Sequence, residues 1–188
     1  MVAGAAGGLG WVRVQRVGGP VVKSAPNVLT QRMLSGMLYL LRQSDADDVA
    51  SRRVGSFWFE ADNATMPAPT TTDDGPHSAS TVIEQVEIDP DDVTISTVQT
   101  SAGPMTALNF RARLYGDDHD GRTIHAVGLY SYGDGTLPDP DTYVAGTNGV
   151  YLLARQAQTL PISAGAAWDF TWTIVIGLMP SDVVIEES

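Results

Sequence analysis

Alternating apolar and polar residues recur along the chain after position 53, and this period of two is typical of β-strands. The pattern is clearest near the end, where Trp168, Phe170 and Trp172 share one face and polar residues separate them. Such a strand buries one face against a core and leaves the other in solvent. The pattern predicts strands at 54–60, 81–88, 93–98, 105–115, 122–131, 150–158 and 167–177.

The first 26 residues depart from this pattern, because glycines crowd positions 4–10 and a Gly-Gly-Pro sequence at 18–20 interrupts the chain. Only the segment 11–17 between them has the character of a short strand. The segment 1–26 is therefore predicted to be an extended arm. Trp11 favours an arm that packs on a neighbouring subunit, because a free tail gains little from a large aromatic side chain.

A single helix is predicted to begin near Asn27, a residue type that favours the N-cap position. The apolar residues that follow recur at helical spacing, and a polar run at 44–48 ends the pattern. We interpret this stripe as core packing rather than as a binding groove. Its members are Leu29, Met33, Leu34, Met37, Leu40 and Leu41.

These elements together predict a mainly β fold, an antiparallel β-sandwich of about seven strands with one N-terminal helix. At 188 residues the chain has the size of one domain with arms. The expected organisation is an extended N-terminal arm at 1–26, a domain of helix and sandwich at 27–177 and an acidic C-terminal tail at 178–188.

Charge is unevenly distributed along the chain, whose formal net charge is -11 from 11 Lys+Arg and 22 Asp+Glu. Residues 1–53 carry a net charge of about +4 and the remainder about -15. An acidic body repels phosphate backbones, so nucleic acid is not expected as a partner. The asymmetry fits a basic arm of one copy that meets the acidic body of another, and equally a mixed surface with acidic loops.

Several classes of site are excluded or disfavoured by composition. The chain has no cysteine, which excludes disulfides, thiolate metal sites and cysteine nucleophiles. No apolar run reaches the roughly 20 residues of a membrane helix, and no secretory signal is recognised, so no membrane partner is expected.

Candidate catalytic and metal-binding residues form no known motif. The histidines, His77, His119 and His125, lack the spacing of a zinc site, and no nucleophile elbow or phosphate loop occurs. The acidic run 117–121 fails the EF-hand calcium template, since Val127 stands where the final glutamate ligand belongs. The sequence therefore predicts a solvated turn there, no catalytic, cofactor or metal site, and a protein that is not an enzyme.

Several short segments occur in a recognisable order. Arg122–Tyr130 reads RTIHAVGLY, Tyr151–Arg155 reads YLLAR and Trp168–Val175 reads WDFTWTIV. They are preceded by NVLT at 27–30, FWFE at 57–60 and PAPTTTD at 67–73.

This ordered series, which spans residues 27–177, resembles a recurrent module of tailed-bacteriophage virion proteins, found in tail-collar and tail-fibre attachment proteins. The chain departs from the module in three places. The usual acidic residue before the GLY motif is replaced by Ala126 or Val127, glycines around 59–63 are absent, and the loop 133–149 is long.

The resemblance implies a non-enzymatic structural component of a tailed-phage virion, made in the host cytoplasm. Such a protein would assemble in multiple copies and join or mount tail, collar or fibre parts, so its partners would be itself and other virion structural proteins. Two alternatives stay open. One is a capsid decoration (cement) protein, and the other is a receptor- or carbohydrate-binding sandwich that uses the loops 61–80 and 133–149.

Two groups of residues are candidates for contacts with other chains. One lies in the predicted arm, and the other is the GLY motif, where a glycine inside a strand indicates a bulge or a close approach of another group. An ordinary packing glycine fits that position equally well. The candidates are Trp11, Val12, Arg13, Arg16, Gly128, Leu129 and Tyr130.

Overall fold

The computed structural model describes residues 9–29, 53–62, 65, 67–100 and 103–176. They form two antiparallel sheets, of five and four strands, packed as a sandwich, and they contain no α-helix. The predicted mainly β sandwich is thus confirmed, with nine strands in place of about seven. The strands are β1 Leu9–Arg16, β2 Val21–Leu29, β3 Val54–Ala61, β4 Thr81–Glu87, β5 Val93–Thr100, β6 Gly103–Tyr115, β7 Thr123–Ser131, β8 Leu152–Pro161 and β9 Ala167–Ile176.

The strand order is β2-β1-β9-β6-β5 in the five-stranded sheet and β4-β3-β7-β8 in the four-stranded sheet. β2 takes part in both sheets. It pairs with β1 along most of its length, while its last residues, Val28 and Leu29, pair with Arg155 and Ala154 of β8. β2 therefore joins the sheets at one side of the sandwich. On the opposite side, between β4 and β5, the described part of the chain supplies no joining strand.

The core lies between the two sheets and is built from alternate residues of the strands. Phe170 and Trp172 of β9 are fully buried and meet Phe59 and Phe57 of β3 edge-on, at ring-centroid distances of 4.7 and 6.0 Å. Edge-to-face aromatic pairs stabilise beyond the area they bury. On β6, the alternate residues Phe110, Ala112 and Leu114 are buried in the same core. The inward face predicted for β9 is confirmed for its described residues.

The prediction of an N-terminal arm is wrong for residues 9–26, which lie in the five-stranded sheet. β1 pairs with β9 over its whole length, from Leu9 opposite Val175 to Arg16 opposite Trp168. Val12 and Val14 are buried in the core. The physical reason is that these two valines alternate with polar residues, so that β1 extends the inner face of β9. The turn at 17–20 joins β1 to β2 instead of ending regular structure.

The predicted helix start at Asn27 is also wrong, because Asn27, Val28 and Leu29 are the last residues of β2. Pairing with β1 and then with β8 outweighs the local N-cap preference of an asparagine. The rest of the predicted helix, which runs up to the polar run at 44–48, lies outside the described residues, as do residues 1–8 and the predicted tail at 178–188. Within the described ranges, no helix is long and apolar enough to cross a membrane.

Candidate functional site

The outer face of the four-stranded sheet is covered by the chain's own long loops. Trp58 of β3 and Tyr130 of β7 stack there, with ring centroids 4.0 Å apart. Tyr143, from the loop 133–149, packs edge-on against both rings, at 5.0 and 5.9 Å. Its hydroxyl donates to the carbonyl oxygen of Val150 over 3.1 Å. The long loop is therefore folded onto the sheet by an aromatic cluster.

Gly128 makes room for this cluster. A Cβ atom at this position would lie 2.5 Å from Cε2 of Tyr130 and 3.1 Å from Cδ1 of Leu152. The neighbouring Leu129 points to the opposite face and is fully buried in the main core. The GLY motif is thus buried in the interior of a single copy of the protein. Gly128, Leu129 and Tyr130 can therefore affect contacts with other chains only indirectly, through the loops that lie over them.

A buried ion pair fixes the second loop to the same face. Glu60 of β3 and Arg155 of β8 are 0% and 3% exposed. Arg155 donates from Nε to Oε1 of Glu60 over 2.9 Å and from Nη2 to Oε2 over 2.7 Å. Its Nη1 lies 3.3 Å from Oδ2 of Asp73. This forked geometry is the strong form of a charge-assisted hydrogen bond.

The remaining acceptor capacity of Glu60 holds the loop after β3. Its Oε2 accepts hydrogen bonds from the backbone N–H of His77 over 2.9 Å and from the hydroxyl of Ser80 over 2.7 Å. Burial opposes the charged form of Arg155, but the hydrogen bonds and charges of Glu60 and Asp73 outweigh it and raise the pKa of Arg155 above its ordinary value. The guanidinium of Arg155 therefore stays charged although it is buried.

The acidic turns use their carboxylates to hold backbone. Asp117 and Asp120 accept the N–H groups of Gly165 and Ala164, at 2.6 and 2.8 Å. In the next loop, the side chain of Asp134 accepts the N–H of Thr136 over 2.9 Å. Among the described residues no group of three or more histidine and acidic side chains is arranged to hold a metal ion.

A cleft of about 400 Å³ lies on the open side of the sandwich. Residues 84–87 of β4 form one wall and residues 113–115 of β6 form the other. His119, which is buried, closes the gap between the sheets, with Nε2 at 3.1 Å from Oε2 of Glu84. The β4 wall of the cleft is acidic, because it carries Glu84 and Glu87.

The edge strand of the other sheet, β5, differs sharply from β4. Its sequence, VTISTVQT, contains no charged residue and no proline. Ile95, near its centre, is 76% exposed, the largest exposure among the large apolar side chains that the structure describes. Natural proteins usually protect such strands with charges, bulges or proline, because unpaired backbone N–H and C=O groups recruit other strands. The candidate functional surface is therefore the β5 edge. This surface is not among the contact residues predicted from the sequence, although the uncharged run 93–100 directly follows the acidic turn 89–92.

The candidate contact residues of β1 lie along the sheet. Val12 is 1% exposed and belongs to the core, whereas Arg13 and Arg16 are exposed to solvent. The backbone of Trp11 pairs with Thr173 and Pro26, and its side chain lies outside those described. Of these candidates, Arg13 and Arg16 are accessible to another chain.

Comparisons with known proteins supply no relative. No family model matches the chain, and neither the curated proteins nor the solved structures contain a significant match.

Replacing Tyr130 by phenylalanine is expected to make the free energy of unfolding less sensitive to alkaline pH. The Tyr130 hydroxyl is buried without a hydrogen-bond partner among the described residues, and burial raises its pKa well above the ordinary 10.0. Above pH 10 the unfolded chain loses this proton while the folded chain retains it. The stabilisation is therefore present below pH 10 and lost as pH rises, at up to about 1.4 kcal/mol per pH unit.

The measurement is the free energy of unfolding in urea at pH 8 and at several values from 10 to 11. We expect the wild-type chain to lose more stability over this range than the Tyr130→Phe variant. Tyr115→Phe is the matched control, because the Tyr115 side chain is 60% exposed. Equal alkaline slopes for wild type and Tyr130→Phe would contradict the expectation.

Proposed function

We propose that this chain is a non-enzymatic structural component of a tailed-phage virion that assembles in several copies. Two features support the proposal. The ordered segments between residues 27 and 177 resemble the module of tail-collar and tail-fibre attachment proteins, and among the described strands the sandwich ends in an edge strand, β5, that has no charge, proline or bulge. In this role the protein joins or mounts tail, collar or fibre parts.

The observation that carries the proposal is the contrast between the two edge strands on the open side of the sandwich. β4 carries Glu84 and Glu87, and charges on an edge strand oppose pairing with other chains. β5 carries no charge over eight residues and exposes Ile95. An edge left open in this way suits a protein whose working state includes a neighbour at that edge.

The clamped loops support the same role. Glu60, Arg155 and Tyr143 fix both long loops to the four-stranded sheet, and the Tyr143 hydroxyl also lies 3.3 Å from the carbonyl oxygen of Asp74 in the other loop. A layer anchored by buried contacts presents a constant surface to successive copies in an assembly. Rigid partners lose little conformational entropy on association.

The test is the protein content of purified particles of the phage whose genome encodes the chain. We expect a constant copy number per particle, retained after washing at high salt, and labelling at one position on the particle by an antibody against the chain. Absence from washed particles overturns the proposal. A strictly monomeric chain that binds isolated glycans would instead support the receptor- or carbohydrate-binding alternative.

A further inference from the structure

We propose that β5 pairs in antiparallel fashion with β5 of a second copy of this chain, so that the two five-stranded sheets join into one continuous sheet. The inference rests on the proposed function and names the contact through which copies associate. It identifies both the surface, residues 93–100, and its occupant.

Along one side of the β5 backbone no described strand pairs with it. Its eight residues pair with β6 in unbroken register, from Val93 opposite Phe110 to Thr100 opposite Gly103. No other described strand pairs with β5. In an antiparallel ladder alternate residues direct their N–H and C=O groups to each side, so half of these groups point away from the sheet. They are available to a further strand.

The edge is also held in place. The Asn109 side chain on β6 donates to the hydroxyl of Ser96 over 2.8 Å, and it accepts a hydrogen bond of 2.8 Å from the hydroxyl of Thr173 on β9. This polar row ties β5 to the two strands behind it on the outer face. An edge fixed in a regular conformation is a better template than a frayed one, because little ordering remains to be done on binding.

A second copy fits this edge better than an unrelated acidic or basic strand. Each chain carries a net charge of -11, so most faces of two copies repel each other, but the β5 strands bring no charge to their contact. β-branched residues dominate β5 and pair favourably across strands. A two-fold contact also satisfies the free edges of both copies at once, which leaves no further edge for continued growth at β5.

The two-fold axis brings the exposed isoleucines together. In an antiparallel pair, residues that lie opposite each other have side chains on the same face of the sheet. When the two strands are identical and related by a two-fold axis, the numbers of opposite residues therefore sum to an even value. When the axis passes through position 95, 96 or 97, Ile95 lies opposite Ile95, Thr97 or Gln99 of the other copy. In each of these registers the partner strand covers the exposed side chain of Ile95, which gains apolar contact. Eight residues make a small interface, so association is weak and concentration-dependent in solution.

Sedimentation velocity over a range of concentrations tests this contact with a matched pair of variants. Ile95→Lys places two like charges near the axis, whereas Val144→Lys makes the same change in the loop 133–149, at a side chain that is 71% exposed. Both variants have the same net charge, which is less negative than that of wild type. We expect Ile95→Lys to weaken dimerisation at least about ten-fold and Val144→Lys to dimerise as wild type does.

Single cysteines test the geometry, because the natural chain has none. A two-fold pair places one residue of β5 opposite itself. Among single-cysteine variants at positions 95–97, we expect one to form a disulfide-linked dimer much faster than its neighbours and than the Thr81→Cys control on β4. Uniformly slow cross-linking at all three positions would overturn the pairing.

Three outcomes separate the inference from the proposed function. If the chain is incorporated into particles while Ile95→Lys and Val144→Lys behave alike, the β5 contact is wrong and the structural role stands. If β5 dimers form but washed particles lack the chain, the virion role is wrong. Dimers that weaken steeply as salt rises overturn the uncharged contact and favour basic-to-acidic contacts between copies, because salt screens those attractions.

Discussion

Replacing Arg155 by methionine is expected to lower the free energy of unfolding by about 3–5 kcal/mol. The substitution leaves the carboxylate of Glu60, which is 0% exposed, inside the protein without its counter-charge. It also removes the contact with Asp73 that helps to hold the loop after β3. A buried unpaired charge is among the few single changes with so large an effect.

The measurement is urea-induced unfolding of wild type and variants at pH 7. Arg113→Met is the control, because Arg113 pairs with Asp169 at the surface, where an ion pair contributes little. The double variant Glu60→Gln with Arg155→Met is expected to be more stable than Arg155→Met alone, because it removes the unpaired charge. If Arg155→Met and Arg113→Met destabilise equally, the buried pair does not hold the loops.

The strands after residue 53 were predictable because each signals itself locally. An aromatic run identified β3 and local apolar patterns identified β4 to β9, and the inward set of β9 that includes Phe170 and Trp172 matches the observed core. β2 was missed because its sequence, VVKSAPNVL, alternates poorly and contains Pro26. Its place is determined by pairing with β1 and β8, which are distant from each other in sequence. Local pattern does not report such pairings.

The functional surface was predictable only in part, for a related reason. Glu60 and Arg155 are 95 residues apart in the sequence. They come together because β3, β7 and β8 are neighbours in the four-stranded sheet. A glutamate within the aromatic run FWFE was the available signal of a buried partner. The uncharged run of β5 was equally visible, but its meaning depends on the position of β5 at a sheet edge. Edge position follows from strand order, which the sequence alone did not establish.

Replacing Val14 by aspartate is expected to destabilise the whole sandwich by about 4 kcal/mol or more, because it puts a carboxylate into the core. Val14 is 0% exposed and lies opposite Phe170 of β9. Val17→Asp, three residues further along the same hairpin, makes the same chemical change at a side chain that is 42% exposed. It is expected to leave stability nearly unchanged.

Thermal and urea unfolding of these two variants decide between a strand and an arm. An arm that only contacts other copies would leave both variants as stable as the wild-type monomer. A strand of the core makes the variants differ strongly and makes unfolding of Val14→Asp a global event, visible in the fluorescence of buried tryptophans such as Trp172. Removal of residues 1–26 would then abolish particle incorporation through unfolding, so it cannot by itself reveal an assembly contact. Substitutions at the exposed Ile95 avoid this ambiguity, because they alter a contact surface without altering the core.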